Sequence, residues 1–180
     1  MAMLDQMKPM TLMVMLSMTE YQKLDVLKKY QGQPLDGYFT KQGRTDGKKV
    51  THLETVELQF QILYGHFTVA NRAEQLVAYV KNKEAALQLQ EHMTDLYFKQ
   101  NLNGMWTSSE EYNNLTGGDD MAYIIDDRNK NWMTQLPAIM KERSTFIAVG
   151  AMHLPGTNGL IQLMQKAGYT VKACSVAYSA

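Results

Sequence analysis

Residues 144–176, near the end of the sequence, constrain the fold of this chain more than any other segment. The run STFIAVGA is uncharged and largely apolar, which is typical of a strand covered on both faces. It is followed by a glycine-rich turn, by the helical stretch NGLIQLMQKAG with Gly168 as its C-cap, and by the strand-like run YTVKACSV. Strand, helix and strand in direct succession form a βαβ unit, which predicts parallel strands in a central sheet.

The other elements are predicted from hydrophobic spacing. The run KVTHLE gives a further strand at about residues 48–53, whereas TVELQFQILY (55–64) alternates like a strand but contains good helix formers. Helical spacing predicts a methionine-rich helix near the N-terminus and a helical hairpin or broken helix over 69–102. It also predicts a helix over about 120–142, which Pro137 should kink.

Together these elements predict an α/β fold in a single domain over residues 1–180. We expect a small central sheet, mainly parallel, with flanking helices and a helical insertion in the middle of the chain, at about 66–117. Within it, the polar passage WTSSEEYNNLTGG is predicted to be a loop, and Asp119 and Asp120 after it are candidate N-caps. A chain of this length buries roughly 70% of its unfolded surface, so no disulfide or structural metal is needed.

Charge and composition exclude several classes of partner. The 18 basic residues equal the 18 acidic ones and no run of like charge occurs, which argues against nucleic acid and against an anionic membrane surface. The N-terminal apolar run MTLMVMLSM is far shorter than the roughly 18 residues of a membrane span. The single Cys174 excludes an intramolecular disulfide, and within an apolar strand we expect it to be an inert core residue.

The glycine-rich turn carries no common nucleotide or nucleophile motif. A phosphate loop requires GxxxxGK[ST], but Thr157 follows Gly156 without the lysine, and GxSxG does not occur. His153 is the residue of interest, because Gly150 lets the backbone come close and the turn exposes the imidazole at the end of the strand. Imidazole is a common ligand for divalent transition metals.

Glu54 is the expected partner of His153, since it closes the strand at 48–53. If the two strands are parallel neighbours, both side chains face the crevice beyond the strand ends, where ligands collect in such sheets. A carboxylate and an imidazole there could bind a metal or serve as acid and base. The alternative is structural: the histidine would bond the backbone of its turn, and the glutamate would cap the next helix.

Three stretches resemble the TraB/GumN family, and with them the resemblance covers most of the chain. They are HLET (52–55) with Gln59, DDRNKNWMTQL (126–136) and FIAVGAMHLPGTNGLIQLMQKAGYTV (146–171). The last is the most specific, because VGA-x-HL-x-G-x-x-G, a helix and then Gly-Tyr-x-Val are all matched. The segment MKPM resembles the family's Lys-Pro segment, which opens a helix. The resemblance also favours a helix for residues 55–64.

The resemblance implies a metal-dependent hydrolase, since related members are described as metalloproteases with two Gly-x-x-His motifs and a Glu. By motif match, His153 belongs to the second motif, Glu54 is the family's Glu, and Arg128 with Asn129 is its Arg-Asn pair. His153 would then be a ligand of a divalent metal ion such as Mn, Co or Zn. Glu54 would be a second metal ligand or the general base for a metal-bound water. Arg128 would orient Glu54 or steady an oxyanion.

Two departures from the family pattern bear on this implication. The family's first Gly-x-x-His motif lies upstream of the Lys-Pro segment, near which this sequence begins, and no glycine stands three places before His52, His66 or His92. We therefore expect an incomplete two-histidine site, a possible truncation, and a chain that is part of a larger family domain. His52 stands where the family has Gly, as a partly buried strand histidine or a substitute ligand.

Three classes of function follow from these observations. The first is a peptidase-like, metal-dependent hydrolase, which in truncated form could be inactive. The second is a non-catalytic module that binds a peptide or small-molecule ligand in the same crevice. The third is an interaction domain that forms a homodimer through an open sheet edge. The resemblance further suggests an exported or periplasmic protein of a bacterium.

Overall fold

The structure, a computed structural model, describes residues 6–28, 34–118 and 121–174, and its regular elements are helices. The α-helices are α1 (Pro9–Tyr21), α2 (Asp25–Lys28), α3 (Leu35–Thr45), α4 (Val56–Phe60), α5 (Val69–Lys81), α6 (Lys83–Phe98), α7 (Leu102–Thr116), α8 (Asp127–Met133), α9 (Leu136–Glu142) and α10 (Leu160–Lys166). Two π-helical turns lie at Gln61–Gly65 and Ala122–Asp126, and a 3₁₀ turn spans Ala151–His153.

The predicted α/β fold is wrong, because the described residues contain no strand and hence no small, mainly parallel sheet. The runs at 48–53, 144–150 and 169–174 are not helical, but no ladder of backbone hydrogen bonds joins them. A strand exists only within such a ladder. Apolar side chains of the first two runs pack against helices instead. The predicted burial of the run at 144–150 on both faces is wrong as well, since Ile147 and Val149 are only partly buried and Phe146 is 74% exposed.

The core that carries the candidate site is built by α8, α9 and α10. Trp132, Leu136 and Leu160 are buried at its centre. Side chains that pack against them come from the non-helical runs and the adjoining helices: Leu53, Met133, Met140, Ile147, Val149, Leu154 and Met164. Because residues directly adjacent to Glu54 and to His153 are among them, this packing anchors both candidate site residues on one group of helices.

Helices α5 and α6, which are separated by Asn82 alone, confirm a break in the helical stretch predicted over 69–102. Thr68 and Asn71 form a capping box that begins α5, since the Thr68 hydroxyl accepts from the Asn71 N–H and the Asn71 side chain accepts from the Thr68 N–H. Asn82 separates the two helices and donates its side-chain amide to the Leu115 carbonyl of α7 at 3.0 Å. The residue at the break therefore also joins α5 and α6 to α7.

The loop predicted over residues 106–118 is wrong, because most of this passage lies in α7. The side chain of Asn101 accepts from the Gly104 N–H at 2.9 Å and begins the helix. Gly117, at φ +63°, ends it in the left-handed conformation. Met105 and Ser108, three residues apart, are buried on one face. Caps at both ends and a single buried face thus outweigh the polar composition of the passage.

The helix predicted over about 120–142 is divided rather than kinked. It comprises the π-helical turn at Ala122–Asp126, α8 and α9. Pro137 lies in the first turn of α9, where its missing N–H removes no helical hydrogen bond. The candidate caps Asp119 and Asp120 lie outside the described residues.

Several helix predictions are confirmed. The methionine-rich N-terminal run forms α1, residues 55–64 lie mostly in α4 and the π-helical turn after it, and Gly168 ends α10 at φ +89°. Helix α1 is tied to α6 by Glu20, whose carboxylate lies 2.8 Å from the Lys83 ammonium. Among the described helices, none combines the length and the apolar character that crossing a bilayer requires.

Candidate functional site

Glu54 and Arg128 form a bidentate ion pair at the centre of the candidate site. Arg128 donates from Nε to Glu54 Oε1 and from Nη2 to Oε2, both at 2.8 Å. The Glu54 side chain is 2% exposed and that of Arg128 is 19% exposed, so the pair lies largely out of water. Thr55, rather than Glu54, caps α4, since its hydroxyl accepts from the Leu58 N–H. The Glu54 carboxylate is therefore directed to α8.

Three side chains, spaced every three or four residues along α8 and the turn after it, hold Glu54 and its neighbour. Trp132, one turn after Arg128, donates its indole N–H to Glu54 Oε1 at 2.8 Å. The guanidinium carbon of Arg128 lies 5.1 Å from the centre of the Trp132 ring. Gln135 donates to the Leu53 carbonyl at 3.2 Å. Side chains of α8 and of the turn after it thus hold both the carboxylate and the backbone of the segment at 53–54.

The hydrogen bonds and charge around Glu54 keep its carboxylate ionised. Burial alone is the largest single influence and acts to raise the pKa of this group. The hydrogen bond and positive charge of Arg128, with the Trp132 N–H, together outweigh burial and hold the pKa below its usual 4.5. The site therefore contains a fixed negative charge already balanced by a fixed positive one.

His153 is buried at the end of the 3₁₀ turn that follows the run at 144–150. Its N–H donates to the Gly150 carbonyl at 2.9 Å, and its ring centre lies 4.4 Å from that of Trp132. Burial, supported by the nearby charge of Arg128, lowers the pKa of His153 to about 4, and the carboxylate of Glu54 opposes this shift. The imidazole is therefore neutral at pH 7.

Asn129 connects His153 to the loop that follows it. The Asn129 side chain is fully buried, and its Oδ1 lies 2.8 Å from His153 Nδ1. Its Nδ2 donates to the carbonyls of His153 at 3.2 Å and Asn158 at 2.8 Å. Asn158 in turn donates from Nδ2 to Asp126 Oδ2 at 2.8 Å. A continuous set of hydrogen bonds thus runs from the π-helical turn before α8 to the imidazole.

Two glycines give the loop at 154–159 its tight shape. A Cβ on Gly159 would lie 2.0 Å from the Pro155 carbonyl oxygen, a distance that no side chain tolerates. Gly156 has φ +88°, a backbone conformation that residues with a side chain rarely adopt, and its Cα faces the Trp106 ring of α7. These glycines let the loop fold back so that the Asn158 carbonyl reaches Asn129.

The structure brings the three predicted catalytic residues, Glu54, Arg128 and His153, into one cluster around Trp132. The expected route was wrong, because they meet through α8 and not at the ends of neighbouring parallel strands. His52 is exposed and takes no part in the cluster. Cys174 was expected in the core but is exposed. No group of three or more His, Cys, Asp or Glu residues able to hold a metal ion occurs in the described parts of the chain.

Sequence reasoning assigned no role at the site to Trp132 or Asn158, and gave Asn129 no role beyond its place in the Arg-Asn pair. Two signals were available. Trp132 stands four residues after Arg128, so the two share a helix face. Asn129 follows that arginine in a predicted helix, and the side-chain amide of a buried Asn requires hydrogen-bond partners. The partner carbonyls come from a loop, whose path the sequence pattern did not predict.

A comparison with family models assigns the chain to a family. Residues 1–173 match the model of the TraB/PrgY/GumN family, so the chain belongs to this family. No curated protein matches the chain, and no solved structure matches it. The family is thus shown over nearly the whole chain, including Glu54, Arg128, Asn129 and His153.

Proposed function

We propose that this chain carries the Glu–Arg–His centre of a peptidase-like, metal-dependent hydrolase of the TraB/PrgY/GumN type. The observation that supports the proposal is the convergence of Glu54, Arg128 and His153, which lie up to 99 positions apart in the sequence, on the single indole of Trp132. Buried ionisable groups with shifted pKa values concentrate at functional sites. A core of this size requires no such group for stability alone.

Each residue has a role that its surroundings support. His153, neutral at pH 7, offers an imidazole nitrogen that can bind a metal ion or accept a proton. Glu54 supplies the negative charge of the site, and Arg128 holds its carboxylate in one orientation. The same guanidinium, 19% exposed, can face an oxyanion that develops on a substrate.

A divalent Mn, Co or Zn ion fits this donor set in part. His153 and Glu54 are ligands of the correct chemistry, but catalytic zinc sites usually have three protein ligands. Glu54 also already accepts hydrogen bonds from Arg128, Trp132 and the side chain of Gln59, so its carboxylate oxygens are largely occupied. Two protein ligands alone would hold the ion weakly. The described residues therefore do not make a complete metal site, and the role of the metal stays part of the proposal.

Metal binding tests the proposal directly. The chain is titrated with Mn²⁺, Co²⁺ and Zn²⁺ by calorimetry, and its melting temperature is followed in parallel, since an ion bound by the folded state raises the midpoint. We expect binding of at least one ion that His153→Ala abolishes. His92→Ala is the matched control, because His92 is exposed on α6. Equal binding by both variants would place the ion elsewhere and refute the assignment.

Hydrolysis is tested with the same set of variants. A mixture of unstructured peptides is incubated with the metal-loaded chain, and the products are identified by mass spectrometry. We expect cleavage that Glu54→Gln and His153→Ala abolish and that His92→Ala leaves intact. Cleavage that persists in the first two variants would show that the activity does not arise at this site.

A non-catalytic ligand-binding module is the second candidate. It is favoured by the saturation of Glu54, whose carboxylate is 2% exposed and tied to Arg128 and Trp132. In this case the chain would bind peptides without cleaving them, and Arg128, rather than Glu54, would contact the ligand. Binding that Arg128→Met weakens, with no product after prolonged incubation with metal, would favour this candidate. The third class, a homodimer through an open sheet edge, has no basis in the described residues because they contain no sheet.

A further inference from the structure

We propose that Asn129 is a positioning residue that fixes His153 in the tautomer with the proton on Nδ1 and so presents the lone pair of Nε2 to the site. This inference deepens the proposed function and rests on it for its chemical consequence. The tautomer itself follows from the hydrogen bonds alone and can be measured without any metal or substrate.

The orientation of the Asn129 amide follows from the two carbonyl groups beside it. One end of this amide lies 3.2 Å from the His153 carbonyl oxygen and 2.8 Å from the Asn158 carbonyl oxygen. Carbonyl oxygens only accept hydrogen bonds, so the end that faces them must be the NH₂ group. The reverse orientation would set the amide oxygen against two other oxygens, none of which can donate a hydrogen bond. The amide oxygen therefore faces the imidazole.

The position of the imidazole proton follows from the amide oxygen that faces Nδ1. Asn129 Oδ1 lies 2.8 Å from His153 Nδ1, and an amide oxygen has no proton to give. Nδ1 must then carry the hydrogen and donate it. In a neutral ring the other nitrogen, Nε2, is left with a lone pair that can bind a metal ion or accept a proton. A neutral amide achieves this without adding a second negative charge beside Glu54.

Burial and a fixed acceptor hold Asn129 in place. Its side chain is 0% exposed, and its acceptor Asn158 is itself fixed by a bond from Asn158 Nδ2 to Asp126 Oδ2 at 2.8 Å. Partners of this kind, beyond the ligating residue itself, orient metal-binding histidines in other proteins, and their loss typically lowers metal affinity by about 10–100-fold. The loop at 154–159 thus contributes to the site through Asn129 rather than by direct contact with a ligand.

The tautomer is measured by long-range ¹⁵N–¹H correlation spectra of the metal-free chain at pH 7.5. Comparison with His153→Gln identifies the signals of His153 among those of the four histidines. We expect the ¹⁵N shift of an unprotonated ring nitrogen on Nε2 and that of a protonated one on Nδ1. The opposite pattern in the wild-type protein overturns the proposal.

Two substitutions separate positioning from mere packing. Asn129→Asp keeps an oxygen acceptor for Nδ1 but loses both bonds to the carbonyls, so we expect lower stability and an unchanged tautomer. Asn129→Leu loses the acceptor as well, and we expect the proton to move from Nδ1 in part or entirely to Nε2. Asn131→Leu, on an exposed position of the same helix, is the control and should leave the spectrum unchanged.

The results separate this inference from the proposed function. An unchanged Nδ1–H tautomer in a folded Asn129→Leu protein overturns the positioning role. If this variant does not fold, the wild-type and Asn129→Asp spectra decide: loss of the Nδ1–H pattern in a folded Asn129→Asp protein also overturns it. Where the wild-type chain binds Co²⁺, we expect Asn129→Leu to weaken that binding at least tenfold. The predicted tautomers without any Co²⁺ binding support the positioning role and count against the metal-dependent function only.

Discussion

Replacement of Arg128 by methionine is the perturbation that the site geometry predicts most sharply. The substitution keeps an unbranched apolar stem against Trp132 and removes both hydrogen bonds to Glu54. The carboxylate, 2% exposed, would then be buried with neutral partners, the Trp132 N–H and the Gln59 side chain. Loss of one member of a buried ion pair typically costs about 3–5 kcal/mol.

We expect the lower end of this range, about 3 kcal/mol, because Arg128 is partly exposed and water can enter its place. In equilibrium terms the unfolding constant rises by about a hundredfold. The melting temperature of a chain of this length should fall by roughly 6–12 °C. Both quantities are obtained from urea and thermal unfolding followed by circular dichroism at pH 7.

The pH dependence of the same variant gives a second test with a definite sign. In the wild-type protein the pKa of Glu54 is lowered below 4.5, so its stabilising contribution is present above that pH and is lost as the pH falls through the folded-state value. Without Arg128, burial dominates and should raise the pKa of Glu54 above 4.5. The variant then gains a proton on folding, and its stability deficit should shrink as the pH is lowered toward 3.

The control is Lys130→Met on the same helix. Lys130 pairs with Asp127 at 3.1 Å, but both side chains are more than half exposed, so the loss should be below about 0.5 kcal/mol. Similar small losses for Arg128→Met and Lys130→Met would refute the view that Glu54 and Arg128 form a desolvated pair. A deficit of Arg128→Met that does not change between pH 7 and pH 3 would refute its electrostatic origin.

Three further predictions concern the pH response and two backbone features. The pKa of His153 is lowered from 6.5 to about 4, so protonation of the imidazole opposes folding. The free energy of unfolding of the wild-type protein should therefore fall by up to about 3 kcal/mol between pH 6.5 and pH 4. In urea titrations His153→Leu should flatten this slope, and His92→Leu should not. Gly156→Ala should lower the free energy of unfolding by about 1–2 kcal/mol, because φ is +88° and the new Cβ would lie 3.3 Å from the Trp106 ring. A melting temperature equal to that of the wild type would contradict the loop geometry. Thr68→Ala should cost about 1 kcal/mol by loss of the capping box, which faster amide exchange in the first turn of α5 would show.

Local signals in the sequence predicted several helices, missed α7 and predicted the sheet wrongly. The terminal Gly168 and the spacing of apolar residues each act within a few positions, and the helices that they predicted form. A strand depends on a partner elsewhere in the chain, which no local pattern supplies. Leu53, Ile147 and Val149 of the runs at 48–53 and 144–150 pack, partly buried, against α8–α10, and both runs remain unpaired within the described residues.

The residues of the candidate site were named from sequence motifs, but the contacts that bring them together were not predicted. Motif residues pointed to Glu54, Arg128 and His153, and the structure brings them together. Their meeting depends on Trp132, which touches both Glu54 and His153, and on the hydrogen bonds of Asn129. Spacing places Trp132 on the helix face of Arg128, but the contacts of Trp132 and Asn129 with residues far away in the sequence are not predicted by spacing within one helix.

The claim that Glu54 and His153 meet at the indole of Trp132 is tested most directly by nuclear Overhauser effects in the wild-type chain. We predict contacts from the Trp132 indole N–H to the Glu54 side-chain protons and from the Trp132 ring protons to the His153 ring protons in the same sample. If all three side chains are assigned and either contact is missing, the cluster does not exist as described and the proposed function loses its support.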